Sequence, residues 1–280
     1  MMGTLRLALI QMRSEVGARD QNVAKALEYI DEVAAERPDL IVVPEFFNTE
    51  YFAQYRDYRY LDYAEREDGY TITAVRKRAV EHDVTICATI FEEEGPGIYF
   101  DTAFLIDGSG DIVGKYRKTH PAAVRSLEKI YFRGGTRFPV WSVKGIPTGI
   151  IICYDHFFPE TARNCMVNGA ELILGPFAAP AEPNWDALMT VRAWENGVYM
   201  APCNKVGLEG EWTFGGASMV VDPFGEIVAR AGDRDDETLV VEVDRDRVYQ
   251  ARRRYPMQRD RRPEIYGLLS THTEEARSLL

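Results

Sequence analysis

Residues 149–160 read GIIICYDHFFPE. Three successive isoleucines make the apolar, β-branched run of a strand covered on both faces. The run stops at Cys153, polar and aromatic residues follow, and Pro159 with Glu160 suits the first turn of a helix. This stretch therefore predicts a strand, a turn carrying a thiol, and then a helix. A cysteine so placed is either a small inert core residue or a nucleophile.

Outward from that segment the same alternation continues. Downstream come a helix from Pro159 to Asn168, the strand ELILGP, a helix from Trp185 to Asn196 and the strand VYMAPCN. A hairpin, ASMVVDPFGEIVARAG, and the strand TLVVEV complete that half. Upstream, LRLALIQM reads as a strand, Asp20 to Arg37 as a helix, DLIVVP as a strand, Thr71 to His82 as a helix and VTICATIF as a strand. YFDTAFLIDGSGDIVGKYRK then reads as a hairpin.

The halves echo each other: DLIVVPEF aligns with ELILGPFA, and IDGSGDIVG with VDPFGEIVA. Two copies indicate an internal pseudo-twofold, not an array. Strands apolar on both sides need cover on both faces, which two halves supply by stacking sheet on sheet with helices outside. The expected fold is α/β, a four-layer α-β-β-α sandwich. Residues 244–280 form a basic, proline-broken arm that either lies on a neighbouring acidic surface or extends into solvent.

Composition narrows the function. A chain of 280 residues, 46% hydrophobic, is long enough for a large core. Its net charge of −11 and pI near 5.0 oppose binding to nucleic acid or anionic membrane and leave small molecules as partners. Cys87, Cys153, Cys165 and Cys203 are widely spaced, and the N-terminus lacks a basic start and a continuous apolar core. A cytoplasmic protein with free thiols is expected, and no apolar stretch approaches the roughly 20 residues of a membrane helix.

Reactive groups in covered α/β sheets collect at the C-terminal ends of strands. Glu45 follows LIVVP, Lys118 closes DIVGKYRK, and Cys153 ends TGIIIC. Singly, each has an ordinary structural reading; together they satisfy a mechanism. Helix-start N–H groups and the Lys118 ammonium would favour thiolate at Cys153. Lys118 and the Tyr154 backbone N–H could stabilise an oxyanion, and Glu45 could act as general base. A free glutamate is a weak base at neutral pH, so such a site needs burial or a second carboxylate. Glu128, in SLEKIYFRGG, is either that carboxylate or a surface helix residue.

VVPEFF, GKYRKTH and IIICYDHFFPETAR resemble, in order and separation, the three signature blocks of the nitrilase superfamily of carbon–nitrogen hydrolases. Further similarity in LEKIYFRGG, GAELILGP and NKVGLEG extends it over nearly the whole chain, so residues 1–280 read as one carbon–nitrogen hydrolase domain with the arm attached. The resemblance implies Glu45 as base, Lys118 as oxyanion-stabilising cation, Cys153 as nucleophile and Glu128 as second glutamate. It also implies the α-β-β-α fold, a homodimer or homotetramer, and no metal or organic cofactor. The four histidines show no zinc spacing, and GSGDIVG lies in a hairpin turn instead of opening a helix.

Within the superfamily, LEKIYFRGGTRFPVW, NWDALMTVRAWENG and NKVGLEGEWTFGGASMVVDPFGEIVA look most like N-carbamoyl amino acid and N-carbamoyl amine amidohydrolases. The expected substrate is a small ureido compound, with an aliphatic or amino-acid amide as the alternative. The paired arginines of the D-specific carbamoylases are absent; His156 and Phe157 stand there instead. His156 resembles the histidines of the β-ureidopropionase-like branch, and Phe158 reads as packing. The aromatic loop EFFNTEYFAQYRDYRY lines a pocket or a subunit interface, with Tyr51 and Tyr131 as pocket candidates. A non-catalytic scaffold has no use for base, oxyanion donor and nucleophile together. A papain-like pairing of Cys153 with His120 or His156 lacks its sequence context, and His120 more plausibly orients the loop carrying Lys118.

Overall fold

The computed structural model describes residues 3–272, so the end of the arm, 273–280, lies outside the described residues. In the N-terminal half, β1 (Thr4–Gln11), α1 (Arg19–Ala34), β2 (Leu40–Val42), α2 (Tyr70–His82), β3 (Thr85–Gly95), β4 (Ile98–Ile106) and β5 (Ile112–Arg117) follow in order, with α3 (Glu128–Tyr131) after them. The C-terminal half runs β6 (Val140–Val143), β7 (Ile146–Ile150), α4 (Pro159–Val167), β8 (Leu172–Phe177), α5 (Trp185–Asn196) and β9 (Tyr199–Asn204). The hairpin β10 (Val206–Glu209) and β11 (Trp212–Gly215) precedes β12 (Met219–Val221), β13 (Ile227–Arg230) and β14 (Glu237–Asp244). The helices α6 (Arg245–Arg254) and α7 (Met257–Asp260) begin the arm.

Two six-stranded sheets result, ordered β14-β1-β2-β3-β4-β5 and β13-β12-β9-β8-β7-β6. In each, two parallel pairings at the centre are flanked by antiparallel ones. The pseudo-twofold expected from the sequence is thus present in the topology, with β1-β2-β3-β4-β5 matching β7-β8-β9-β12-β13. β14 leaves the second half to pair with the whole of β1, from Thr4 opposite Asp244 to Gln11 opposite Glu237. That exchange stitches the halves together.

Period-two alternation in β1 shows how the layers are built. Leu5, Leu7 and Leu9 join a buried cluster with Leu40, Val42, Ile150, Leu172, Leu174 and Met219, the layer between the sheets. Ala8, Ile10 and Met12 face the other way and pack with Ala26 and Ile30 of α1 and Ile72 and Val75 of α2. On the opposite side α4 and α5 cover the second sheet through Cys165, Met166, Met189 and Ala193.

Three local differences from expectation have simple causes. α1 ends at Ala34, after which 3₁₀-type bonds, such as Arg37 N–H to Ala34 O, carry the chain to Pro38, which cannot continue the helix. β6, β10 and β11 are four-residue strands, too short for a periodic signal. The basic arm begins on acidic residues of its own chain: Arg245 bonds Glu171, Arg247 bonds Asp222 and Glu226, and Arg252 caps the carbonyls of Gly197 and Ala170. Among the described residues no helix is long and apolar enough to cross a membrane.

Leu7 is fully buried between the sheets. Leu7→Ala should lower the unfolding free energy by about 2–5 kcal/mol in a denaturant titration, with the native circular dichroism unchanged. A loss below about 0.5 kcal/mol would mean the inter-sheet layer is not close-packed there.

Candidate active site

Cys153 stands three residues beyond the end of β7, at the head of a 3₁₀ turn, Cys153–Phe157, that precedes α4. Its φ is +41°, the left-handed region, a conformation costing a non-glycine residue about 1–3 kcal/mol. The turn is held by Asp155, whose carboxylate accepts the Ile152 N–H at 3.0 Å. The same carboxylate accepts from Tyr116 Oη (2.6 Å), Thr119 Oγ1 (2.8 Å) and the His120 N–H (3.0 Å), and pairs with His120 Nδ1 (2.8 Å). Asp155 therefore clamps the segment after Lys118 to the cysteine turn, with His120 in the orienting place expected of it.

Lys118 follows β5 directly and is 1% exposed in its side chain, among carboxylates that are fully buried. Its Nζ lies 2.7 Å from Glu45 Oε1, 2.8 Å from Glu128 Oε2 and 3.3 Å from Asp101 Oδ2. Glu45 sits in the turn beyond β2. Glu128 opens α3 and is buried, so the surface-helix reading is excluded. It accepts from Tyr51 Oη at 2.6 Å and from the Ala122 N–H at 2.7 Å. Tyr51 Oη also meets Ser126 Oγ at 2.7 Å.

Burial pushes the Cys153 thiol well above its usual range; Glu45 and Glu128 add to the rise and Lys118 opposes it. The expectation that helix-start N–H groups and Lys118 favour a resting thiolate is therefore corrected. Carboxylates outnumber the ammonium, and the sulfur instead contacts a carbonyl, Ala178 O, at 3.6 Å. Burial also opposes the charge on Lys118, but Glu128, Glu45, Cys153 and Asp101 outweigh it and hold the ammonium well above the lysine range. Burial raises Glu128 despite Lys118.

A cavity of about 520 Å³ opens over this cluster. Cys153, Glu128, Tyr51, Tyr154, His156 and Phe157 line it. Glu45 and Lys118 lie behind that lining, Lys118 bonded to Glu128 at the wall and Glu45 to Lys118. Tyr131 is a correction: it does not line the cavity. Its hydroxyl donates to the carbonyl of Tyr55 at 2.5 Å, and its ring packs edge-on against Phe52. The loop's Phe46 and Phe52 behave likewise, joining Phe91 and Phe132 in a core of their own from which Tyr51 reaches the site. Phe158 stacks on His120 with ring centroids 3.9 Å apart and also touches the cavity.

Sequence reasoning passed over Asp101, Ser126, Arg125, Glu182 and Trp212. Asp101 carried a usable signal, an acid inside the apolar strand IYFDTAFLI. The others stand on loops or a short hairpin, where no periodicity marks them.

A Carbon-nitrogen hydrolase family model matches residues 6–253. The chain belongs to that family. This carbon–nitrogen hydrolase is 34% identical to an N-carbamoylputrescine amidase of Arabidopsis thaliana, covering 89% of this chain and 90% of the relative. It is 31% identical to a citrullinase of Francisella tularensis, covering 95% and 98%. A carbon–nitrogen hydrolase structure from Helicobacter pylori G27 superposes with a TM-score of 0.90 at 27% identity, covering 96% of this chain and 99% of the other. The hydrolase thus acts on amide-type carbon–nitrogen bonds.

His156 is buried; its Nδ1 donates to Cys153 O at 2.5 Å, which leaves Nε2 as an acceptor. Burial lowers its pKa to about 4, with Arg192 contributing. An NMR titration should find this imidazole neutral at pH 6, with a midpoint near pH 4. Because the folded pKa lies below the unfolded value, His156 withdraws stability as pH falls from about 6.5 towards 4. A midpoint near 6.5 would contradict the assigned environment.

Proposed function

We propose that the enzyme hydrolyses a small N-carbamoyl (ureido) compound, with Cys153 as nucleophile, Glu45 as general base, Lys118 as oxyanion-stabilising cation and Glu128 as the carboxylate that fixes Lys118. The observation that carries the ureido reading is His156 Nε2, a buried acceptor on the cavity wall with no partner among the described residues. A ureido group presents N–H donors on both sides of its carbonyl; a primary amide presents them on one side and a nitrile on neither. The relatives' names support the reading, since N-carbamoylputrescine and citrulline are both ureido compounds.

Because the thiol rests protonated, proton transfer accompanies attack. Glu45 takes the thiol proton as sulfur bonds the ureido carbon, and the carbonyl oxygen gains negative charge facing Lys118 and the Tyr154 N–H. The C–N bond to the terminal nitrogen then breaks, and Glu45 returns the proton to ammonia as it leaves. Water, deprotonated by Glu45, next attacks the carbon of the resulting thiocarbamate, the C–S bond breaks, and the proton restores the thiol. The released N-carboxylated product divides into amine and carbon dioxide.

The far side of the substrate carries charge. Arg125 and Glu182 line the same cavity with opposite signs. Arg125 moreover holds a left-handed φ of +56° at the cavity wall.

Ammonia release should be measured across ureido compounds with cationic, anionic and zwitterionic far ends, alongside the matching primary amides. Turnover should be highest in a charged ureido series, and Cys153→Ala should lose about a thousandfold or more while staying folded. Full activity in that variant would overturn the nucleophile assignment, and amides exceeding every ureido compound would make the enzyme an amidase.

A further inference from the structure

We propose that Asp101 is a positioning residue of this site, sharing one proton with Glu45 so that the pair fixes the Glu45 carboxylate that takes the thiol proton. The inference rests on Glu45 and Cys153 acting as proposed above.

The first ground is charge. Glu45, Asp101 and Glu128 surround a single ammonium, and all four groups are 1% exposed or less. With every carboxyl ionised, two buried negative charges would remain uncompensated. Carboxylates this close do not all ionise, so the cluster retains a proton.

Hydrogen bonding decides where that proton lies. Glu128 is satisfied on both oxygens: Oε1 accepts from Tyr51 and Lys118, while Oε2 accepts from the Ala122 N–H and faces Lys118. Glu45 Oε1 takes Lys118. Glu45 Oε2 and both Asp101 oxygens have no donor, although all three are buried. Asp101 and Glu45 meet at the same ammonium, Oδ2 of one 3.3 Å and Oε1 of the other 2.7 Å from Lys118 Nζ. Two acceptors facing one another without a donor are a costly arrangement, and one proton between them removes the cost for both.

Backbone pairing fixes the meeting. Asp101 lies opposite Phe91 of β3, and its carbonyl accepts the Lys118 N–H at 2.9 Å, so Asp101 and Lys118 share one ladder rung. Around Asp101 the charged and titratable groups are Glu45, Lys118 and Glu128, with Cys153 and Tyr51 acting on the same cluster. Lys205, which Glu45 also feels, is already occupied by Glu209 and the Thr49 carbonyl. Burial, with Glu45 next, pushes Asp101 well above the carboxyl range against the pull of Lys118. When the proton sits on Asp101, Glu45 is the anion that receives the thiol proton. Asp101 keeps its proton throughout, and the thiol proton alone passes to ammonia.

Asp101→Asn tests this. The amide fits the same space, is neutral as the protonated carboxyl is, and can donate to Glu45 in its place. Asp101→Asn should therefore keep the wild-type pH profile of kcat/KM, whereas Asp101→Leu, which has no donor, should lower kcat about tenfold or more with KM little changed. The pH dependence of Cys153 alkylation by iodoacetamide should likewise match wild type in Asp101→Asn. If Asp101→Leu fails to fold, Asp101→Ala removes the donor with less bulk and should lose kcat in the same way. A folded donor-free variant with wild-type kcat, or an acid limb moved by about one unit or more in Asp101→Asn, overturns the proposal. Failure of the underlying reading shows differently, as turnover that survives Cys153→Ala.

Discussion

One ammonium among three buried carboxylates is the constraint on which this active site depends. Lys118 cannot be removed without leaving Glu45 and Glu128 buried and unpaired, a change that typically costs about 3–5 kcal/mol. The carboxylates cannot be rearranged freely either, since each comes from a different place. Glu45 lies beyond β2, Asp101 within β4 and Glu128 at the start of α3. The cluster forms only when the first sheet is in register. The second sheet adds the thiol, presented on a strained turn at the end of its own strand.

Supports around the cluster are buried and polar. Asp155 joins the segment after Lys118 to the cysteine turn through Tyr116, Thr119 and His120. On the other side Lys205 and Glu209, both fully buried, hold the loop before Tyr51: Glu209 accepts the Tyr51 N–H at 2.9 Å and Lys205 donates to Thr49 O at 2.8 Å. Tyr51 passes that constraint to Glu128. Geometry of this kind places charge before substrate arrives, which is how preorganised sites lower barriers.

Much of this was legible in the sequence because strands and signature blocks coincide. The apolar runs ending at Glu45 and Cys153 and the hairpin ending at Lys118 mark both the fold and the cluster, and the repeated segments announced the matching sheet orders. What escaped notice depends on contacts across the chain. Tyr131 looked like a pocket residue because aromatic density does not tell a wall from a core, whereas its hydroxyl anchors the backbone near Tyr55. Asp101 was read as part of a hairpin strand, since only its meeting with Glu45 gives it meaning. The thiolate expectation counted the ammonium and the helix start but not the carboxylates facing the same sulfur.

The chemistry that follows joins a protonated thiol to an adjacent base, so covalent capture at Cys153 is the central event. Acid-quenched reaction with a ureido substrate, followed by peptide mass mapping, tests it most directly. An adduct on the peptide containing Cys153, with the mass of substrate less ammonia, is the predicted result. An adduct confined to another residue, or full turnover with Cys153 never modified, would contradict it.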